Sequence, residues 1–253
     1  MHNWISFWRW ILVTRLGKTQ SINSDHTAVA ILTTYHVRRL KNIDGLVRSF
    51  LKCDFIEKVI VSNHNPEVNI DDRVSMQDDR LVLINQPVRR KPGYRWQIAK
   101  TLDARYFIVI DDDFLITPVQ IRVLFLHLIE EPGIAHGVTG HLQARYYQNK
   151  NMEVTQIHQI YAVTKEMINR YFEITDSIKK TRPDVFPLIE DRADDTIISK
   201  AGSARPKIHH IGLLSRCSTS RSPDVAVHLS QDFYAERRKV IDVLDDILQS
   251  ETG

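Results

Sequence analysis

Apolar and polar positions follow a regular order along residues 28–113. Short apolar runs that end in polar residues alternate with longer segments of helical spacing, such as LKNIDGLVRSFLKC and YRWQIAKTLDA. The short runs are typical of buried strands; they are AVAILTTYH, EKVIVSNHNPE, RLVLINQP and YFIVIDDD. Strands that are separated by helices predict right-handed crossovers and a mostly parallel sheet covered on both faces.

The pattern after residue 118 is less regular. GIAHGVTGHLQARYY and EVTQIHQIYAV indicate further strands, and TKEMINRYFEITDSI indicates a helix. We expect one helix over PLIEDRADDTIISKAG, with acids in its opening turns and Gly202 as its stop. The sequence therefore predicts an α/β fold in which a mostly parallel, Rossmann-like central sheet is accompanied by a smaller mixed sheet.

The first 24 residues have a pattern of their own. Apolar residues fall at helical spacing with basic residues among them; these are Trp4, Phe7, Trp8, Ile11 and Leu12, with Arg9, Arg15 and Lys18. The run is too short and too charged to span a bilayer, but it resembles an interfacial helix, which predicts peripheral membrane contact through residues 4–18. A helix that packs on the domain, or one that contacts a partner, fits as well. We divide the chain into residues 1–24, an amphipathic aromatic segment and linker, and residues 25–253, the folded domain.

Three consecutive aspartates end the fourth predicted strand. Asp111, Asp112 and Asp113 repel one another, so a strand tip that crowds them needs a compensating positive charge. A hard divalent cation bound through oxygen is the most economical candidate. The other predicted strands also end in polar residues, and in parallel α/β sheets ligands bind beyond the carboxyl ends of the strands.

Composition and charge narrow the class of protein. The 253 residues are 43% hydrophobic, enough for a sizeable core, and the net charge of +3 gives no argument for nucleic acid. Only Cys53 and Cys217 are present, which excludes a disulfide scaffold and suits a reducing, cytoplasmic compartment, although one bridge between them stays open. The basic and aromatic run VRRKPGYRW could bind nucleic acid, but a loop over a diphosphate explains it with a smaller patch.

The predicted acidic helix carries four carboxylates at spacings of three and four residues. Glu190 and Asp191 are explained by the helix macrodipole alone, because acids in a first turn are favourable without any catalytic role. Asp194 and Asp195 lie deeper in that helix, directly before the apolar TII, and for this pair we favour a functional role.

Several blocks of the sequence together resemble a GT-A glycosyltransferase. They are ILTTYHVRRLKNIDGLVRSFLKCDFIEKVIVSNHNPE, GYRWQIAKTLDARYFIVIDDDF with its Asp-x-Asp motif, ADDTIISKAG and, more weakly, HLSQDFYAERRKVIDVL. Within this fold the chain is most similar to the exostosin-like domains of glycosyltransferase family 64, with family-2-type enzymes as the second choice. The resemblance implies a nucleotide-sugar half, residues 25–118, and an acceptor and catalytic half, residues 119–253.

The resemblance also implies roles for individual residues. Asp195, with Asp194, would act on the reaction side, and Asp113 would bind the metal, with Asp111 and His228 as further ligands. Donor contacts would come from the strand ends, from Arg95 and from the tail; they are Thr34, Tyr35, Arg38, Asn63, Asn65, Arg95, Asp111, Asp112 and Arg237.

The implied reaction is transfer of a hexosyl or N-acetylhexosaminyl group from a nucleoside diphosphate sugar, a UDP-sugar in the first instance, to a hydroxyl of a glycan, a lipid or another acceptor. Mn²⁺ or Mg²⁺ suits an all-oxygen site of carboxylates and phosphates. Two alternatives stay open: a catalytically silent nucleotide-sugar-binding module, and another metal-dependent nucleotide or phosphoryl-transfer enzyme. The second lacks a Gly-x-x-x-x-Gly-Lys phosphate loop in this sequence.

Two further sets of residues are weaker candidates. One of His209 and His210 could ligate a metal, but not both, because adjacent residues of a strand point to opposite faces. Tyr146 and Tyr147 could form an acceptor platform, although aromatic residues on a half-buried strand are more often packing residues.

Overall fold

The computed structural model describes residues 2–217, 219, 222 and 231–252. Its first half alternates strands and helices as the apolar pattern predicts. After an N-terminal helix, each crossover returns the chain to the same sheet; the elements are α1 (His2–Leu16), β1 (Ala28–Thr34), α2 (Ile43–Leu51), β2 (Ile56–Asn63), β3 (Leu81–Asn85), α3 (Tyr94–Lys100) and β4 (Tyr106–Asp111). Short 3₁₀ turns lie at Val37–Asn42 and Asp71–Arg73.

The second half uses shorter strands between longer helices. Its strands are β5 (Phe114–Leu115), β6 (His136–Gly137), β7 (Thr139–Leu142), β8 (Arg145–Gln148), β9 (Met152–Glu153), β10 (Gln156–His158), β11 (Ile160–Thr164), β12 (Lys207–Ile208) and β13 (Ser215–Arg216). Its helices are α4 (Pro118–Glu130), α5 (Lys165–Thr181), α6 (Phe186–Leu188), α7 (Asp194–Lys200) and α8 (Phe233–Thr252), with a π-helical turn at Ile189–Ala193 before α7.

The central sheet has eight strands in the order β3-β2-β1-β4-β11-β6-β12-β9. The strands β3, β2, β1 and β4 are parallel, so their carboxyl ends meet at one edge, where Thr33 of β1 pairs with Asp111 of β4. The strand β11 runs antiparallel to β4. A second sheet, β10-β7-β8, is wholly antiparallel rather than mixed, and it lies on the side of the second half.

Burial explains why this sheet forms. Every residue of β1 is buried, and successive side chains enter opposite layers because a strand has a period of two residues. Ala30 and Leu32 belong to one core cluster, which also holds residues of α2 and α4, while Val29 and Ile31 belong to the other, which holds residues of α3 and α5. A strand covered on both faces reads as a continuous apolar run, which is the pattern in the sequence.

Helix α1 packs on the domain through one face. Trp10 is fully buried, and its indole N–H donates to the carbonyl oxygen of Ile116 at 2.8 Å. Gly45 of α2 makes room for this ring, because a Cβ there would lie 2.4 Å from it. Thr14, also fully buried, lies 3.3 Å from the hydroxyl of Ser49. The packing alternative for the N-terminal segment is therefore realised on this face of the helix.

The acidic segment is helical from Phe186 to Lys200, but it is not a regular α-helix throughout. A π-helical turn occupies Ile189–Ala193, and Ala193 has φ −146° and ψ 16°, outside the α-helical region. Asp194 and Asp195 therefore begin the regular α-helical turns of α7. Gly93 packs closely against this π-helical turn: its N–H donates to the carbonyl of Glu190 at 2.8 Å, and a Cβ on Gly93 would come within 2.8 Å of the Glu190 Cα.

Two other sequence-level questions are answered by the fold. Cys53 and Cys217 are both buried free thiols, so the bridge left open by the sequence is not formed. Among the residues that the structure describes, no helix is long and apolar enough to cross a membrane.

Candidate functional site

A cleft of about 1510 Å³ lies beyond the carboxyl edge of β1 and β4. Both halves of the chain line it, since residues that follow β1 and β4 face residues of the small sheet, α7 and α8. Its walls include seven of the residues that the sequence analysis selected, namely Tyr35, Arg95, Asp111, Asp113, Asp194, Asp195 and Arg237.

Arg95, in the wall of the cleft, forms ion pairs with two of the predicted carboxylates, Asp111 and Asp194. Its Nη1 lies 2.6 Å from Asp111, and its Nε lies 2.9 Å from Asp194. The Asp194 carboxylate also accepts the indole N–H of Trp96 at 3.0 Å. Because the Arg95 side chain is only 3% exposed, a rigid guanidinium fork fixes the distance between β4 and α7.

Arg39 holds the other two aspartates of the strand tip. Its Nη1 lies 3.2 Å from Asp112, and its Nη2 lies 2.9 Å from Asp113. Asp112 also accepts the backbone N–H of Tyr35 at 3.3 Å. The compensating positive charge that three adjacent carboxylates require is thus present in the fold as two arginines.

Gln159, the residue before β11, connects two aspartates of the strand tip with this neighbouring strand. Its side-chain amide donates to Asp113 at 3.2 Å, and its carbonyl accepts the N–H of Asp111 at 2.8 Å. Its φ of 65° lies in the left-handed region that non-glycine residues rarely adopt. Such a conformation persists only where surrounding contacts enforce it, and these two hydrogen bonds are such contacts.

Burial opposes ionisation at the strand tip. It raises the pKa of Asp111 to about 6, although Arg95 acts against it, and raises the pKa of Asp112 to about 7, although Arg39 acts against it. The neighbouring carboxylate of Asp113 contributes to both of these upward shifts in pKa. The site therefore favours an additional positive charge beyond its arginines.

The residues at the strand tip fit a hard divalent cation. Asp111 and Asp113 both face the cleft, and Mg²⁺ or Mn²⁺ is usually held by one or two carboxylates together with substrate phosphates and water. Among the described residues no three histidine, cysteine or carboxylate side chains converge on one point, so substrate oxygens and water would complete the coordination. The third predicted ligand, His228, lies outside the described residues.

Asp195, in the first turn of α7, lines the same cleft in a different environment. One of its oxygens is 2.7 Å from Nη2 of Arg237, and the other is 2.7 Å from Nδ1 of His158. Burial would raise the pKa of Asp195, but Arg237 and His158 outweigh burial and hold that pKa well below its usual range. The structure therefore keeps a stable negative charge at Asp195.

Sequence reasoning missed two histidines that belong to this arrangement. Nε2 of His158 lies 2.6 Å from Nδ1 of His141, which lines the cleft beside the half-exposed ring of Tyr146. Burial, together with the neighbouring His158 and Arg237, lowers the pKa of His141 to about 4. In the sequence, His158 lies in the segment QIH before the buried strand Ile160–Thr164. That pattern indicates a strand and gives no sign of a functional site.

Five of the predicted donor-binding residues do not line the cleft. Asn63 and Asn65 bind the backbone of their own loop, and Asp112 is buried with Arg39 and the Tyr35 N–H. Thr34 is fully buried, and Arg38 is exposed outside the cleft, whereas its neighbour Arg39 lines it. These side chains do not reach the cleft because most of them are buried in, or hydrogen-bonded to, the strand ends and loops beneath it.

Of the four weaker candidates, one tyrosine lines the cleft, and the other tyrosine and both histidines do not. His209 is buried against His127 and His136, 2.8 Å from Nδ1 of His136, and it does not line the cleft. His210 is exposed. Tyr146 lies at the cleft, whereas Tyr147 packs against the core.

Comparisons with known proteins place the fold but not a family. No family model matches this sequence, and no curated protein is similar to it. Solved structures do match. A structure of GalNAc-T7 with UDP, GalNAc and Mn²⁺ superimposes with a TM-score of 0.54 at 8% identity, covering 75% of this chain and 43% of that one. The chain thus spans less than half of the length of GalNAc-T7.

A second solved structure has a similar length. The 4-diphosphocytidyl-2C-methyl-D-erythritol synthase of Anaerococcus prevotii matches with a TM-score of 0.51 at 11% identity, over 80% of this chain and 96% of that one. At such identities the likeness shows the fold alone. The chain therefore has the GT-A-like α/β fold that the resemblance implied, with a mostly parallel central sheet.

Proposed function

We propose that this chain is a metal-dependent glycosyltransferase that moves a sugar from a nucleoside diphosphate sugar, a UDP-sugar in the first instance, to a hydroxyl acceptor. The observation that carries the proposal is that one cleft brings together two separate groups of carboxylates. Asp111 and Asp113 lie at the carboxyl edge of the parallel sheet, and Asp195 lies in the first turn of α7.

The strand-tip side suits a diphosphate. A bound Mn²⁺ or Mg²⁺ would neutralise charge on the leaving diphosphate, held by Asp111 and Asp113. The loop before α3 brings Arg89, Arg90 and Lys91 to the same cleft, where guanidinium groups can make bidentate contacts to phosphate. Tyr35 at the end of β1 adds an aromatic ring beside these groups, suited to the nucleoside.

The second group of carboxylates suits the acceptor. Asp195 keeps its charge and contacts His158, which in turn contacts His141, and these histidines provide proton-accepting chemistry where an attacking hydroxyl would approach. Asp194 has a different role, because its carboxylate contacts Arg95 and Trp96 and positions the guanidinium. The small antiparallel sheet and Tyr146 would form the acceptor wall.

The structural neighbours support this proposal at the level of the fold. The GalNAc-T7 structure contains UDP, GalNAc and Mn²⁺, the classes of ligand that the cleft residues suit here. Assignment to the exostosin-like family is part of the proposal and rests on the sequence blocks alone, with the family-2-type enzymes as its alternative.

Nucleotidyl transfer is the second candidate function. The synthase from Anaerococcus prevotii shares the fold over 96% of its own chain, and a carboxylate-bound metal at the strand tip would serve a nucleoside triphosphate equally well. The absence of a Gly-x-x-x-x-Gly-Lys loop does not exclude it, since that motif belongs to another class of phosphate site.

Product analysis with a panel of labelled sugar nucleotides separates the candidates. Release of nucleoside diphosphate with a glycosylated acceptor, lost on metal chelation, is the expected result. Release of pyrophosphate from a nucleoside triphosphate and a sugar phosphate would instead establish nucleotidyl transfer. Binding of the donor without turnover of any acceptor would reduce the protein to a binding module.

We also propose that the outer face of α1 lies in the interface of an anionic membrane. Opposite the packed face, a stripe of apolar side chains is exposed to solvent; it consists of Ile5 (63%), Trp8 (47%), Leu12 (55%) and Leu16 (80%). A helix that is apolar all round is expected to be covered on both sides. Residues 1–24 hold three basic residues and no acidic one, which favours an anionic surface as the cover.

A vesicle assay tests this membrane contact. Leu12→Ser combined with Leu16→Ser should reduce sedimentation with phosphatidylserine vesicles while leaving the melting temperature close to that of the wild type, because both side chains are more than half exposed. Val82→Ser, at a half-exposed apolar position on the edge strand β3, is the matched control. Concentration-dependent dimerisation that the double substitution abolishes, without vesicle binding, would identify a second copy of the chain as the cover instead.

A further inference from the structure

Four side chains form a continuous hydrogen-bonded chain along the acceptor wall of the cleft. Arg237 contacts one oxygen of Asp195 at 2.7 Å, and His158 contacts the other at 2.7 Å. His141 follows at 2.6 Å from the second ring nitrogen of His158. Each member lines the cleft, and His141 is the last in the series.

Strand pairing brings the two histidines together. In the antiparallel pair β7 and β10, His141 lies opposite Gln156, which makes His158 its diagonal neighbour. Diagonal positions on one face are within reach of long side chains. The pairing register of two short strands therefore determines this contact between the two histidines.

The carboxylate fixes the direction of the hydrogen bonds. Ionised Asp195 only accepts, so Nδ1 of His158 must donate to it, which leaves Nε2 of neutral His158 as an acceptor. Nδ1 of His141 then donates to that nitrogen, and Nε2 of His141 carries a lone pair. Among the described residues this Nε2 has no hydrogen-bond partner.

Asp195 itself is poorly suited to take a proton from an acceptor. Both of its oxygens are occupied, by Arg237 and by His158, and Arg237 lowers its basicity. The pKa of Asp195 is held well below its usual range, whereas that of His141, although it is lowered, stays at about 4, so His141 is the stronger base of the two. The basic atom of this arrangement is thus displaced from the carboxylate to the open end of the chain.

We propose that Nε2 of His141 is the general base of the reaction, and that His158 and Asp195 are the positioning residues that orient and charge-stabilise it. This inference rests on the proposed glycosyl transfer. As the acceptor oxygen bonds to the anomeric carbon, its proton passes to His141 Nε2, and the bond from that carbon to the diphosphate breaks with its electron pair on the leaving group. The His141 Nδ1 proton can move to His158, whose positive charge faces Asp195, and the extra proton leaves to water with the product.

The neighbourhood of His141 also indicates the class of acceptor. Tyr146 lies directly opposite His141 in the β7 and β8 pair, with ring centroids 5.3 Å apart, and its side chain is 44% exposed. A flat aromatic ring with a polar tip suits the apolar face of a sugar ring. A sugar stacked on Tyr146 would bring a hydroxyl to His141, so the acceptor that the wall fits is a glycan hydroxyl.

Nitrogen NMR of the histidine rings tests the chain without any activity measurement. We expect neutral His158 protonated at Nδ1 and neutral His141 protonated at Nδ1 in the full-length protein at pH 7. Asp195→Asn should change the His158 tautomer or its population. A doubly protonated His158 with His141 protonated at Nε2 would overturn the proposal, because the base would then lack its lone pair.

Kinetics test the catalytic role. His141→Gln should lower kcat by about a hundredfold or more while the donor KM changes little, and His210→Gln, at an exposed position outside the cleft, is the matched control. Among the described residues, the charged and titratable groups that face His141 are His158, Asp195, Arg237 and Tyr146. Both substitutions leave these four side chains in place. Partial rescue of His141→Ala by added imidazole would support a base, since a purely structural role would not respond.

The failures are distinguishable. A wild-type protein that transfers sugar while His141→Gln transfers equally well would overturn the base but leave the proposed function intact. A wild-type protein that transfers no sugar from any donor in the panel would overturn both, even with the expected tautomers.

Discussion

The two carboxylate sites of the cleft have opposite electrostatics. At the strand tip, burial and mutual repulsion raise the pKa values of Asp111 and Asp112, whereas at the start of α7 Arg237 and His158 hold the pKa of Asp195 far below its usual range. An additional cation would stabilise the ionised form of the strand-tip carboxylates, whereas the charge of Asp195 is already balanced by Arg237. The same type of side chain is therefore suited to binding a cation at the first site and to staying ionised without one at the second.

The largest effect should follow from removing the stable charge. Asp195→Asn keeps the shape of the side chain but removes the charge that faces His158, so we expect turnover to fall by about a hundredfold or more with donor binding nearly unchanged. Steady-state kinetics and donor titration measure the two quantities. Asp176→Asn, at an exposed position of α5, is the control, and near-normal turnover of Asp195→Asn would contradict the role of this site.

Removing an arginine from the strand tip tests the other half of the comparison. Arg39→Met leaves two nearly buried carboxylates unpaired, which should lower the free energy of unfolding by about 3 kcal/mol in metal-free buffer. Mn²⁺ alone should then raise the melting temperature of the variant more than that of the wild type, because the freed carboxylates attract a cation. Equal shifts in both proteins would show that Arg39 and the metal do not share Asp113.

Removing a ligand should abolish the response to metal. Asp113→Ala should lose the stabilisation that UDP and Mn²⁺ together give the wild type, which is about 2.7 kcal/mol when ligand is present at a hundred times its Kd. Thermal melts with and without chelator measure it, and Asp103→Ala, an exposed loop aspartate, should keep the full shift. A metal-dependent shift that persists in Asp113→Ala would exclude this residue as a ligand.

The smallest effect concerns pH. The pKa of His141 falls from its ordinary 6.5 to about 4 on folding, so the unfolded chain takes up a proton before the folded one does. Stability from this group is complete above pH 6.5 and is lost as the pH falls toward 4. His141→Gln should therefore show a shallower decline of melting temperature between pH 7 and 4.5, and His210→Gln should retain the slope of the wild type.

The sequence predicted the first half well because strand and helix periods are strong there. Continuous apolar runs such as YFIVI identify strands covered on both faces, and polar residues at their ends mark the ligand edge. The position of the aspartates at the end of β4 followed from this pattern without any tertiary information.

The remainder of the site depends on tertiary geometry. Arg38 and Arg39 are adjacent in a 3₁₀ turn, and only the direction of that turn decides that Arg39 meets the aspartates. His141 and His158 meet through the register of short strands, which no local pattern specifies. The π-helical turn at Ile189–Ala193 packs against the distant Gly93, a tertiary contact that the sequence pattern alone does not show.

Gln159 has a consequence for how this architecture could diversify. It is adjacent to His158 in the chain, its amide binds Asp113, and its carbonyl binds the N–H of Asp111, so one dipeptide fixes the spacing of the two chemical sites. The hairpin of β7 and β8, by contrast, presents Tyr146 at its exposed surface. Under the proposed function, relatives that arose by mutation of β8, without change to His141, His158 or Gln159, could therefore exchange one acceptor for another while inheriting an unchanged reaction centre.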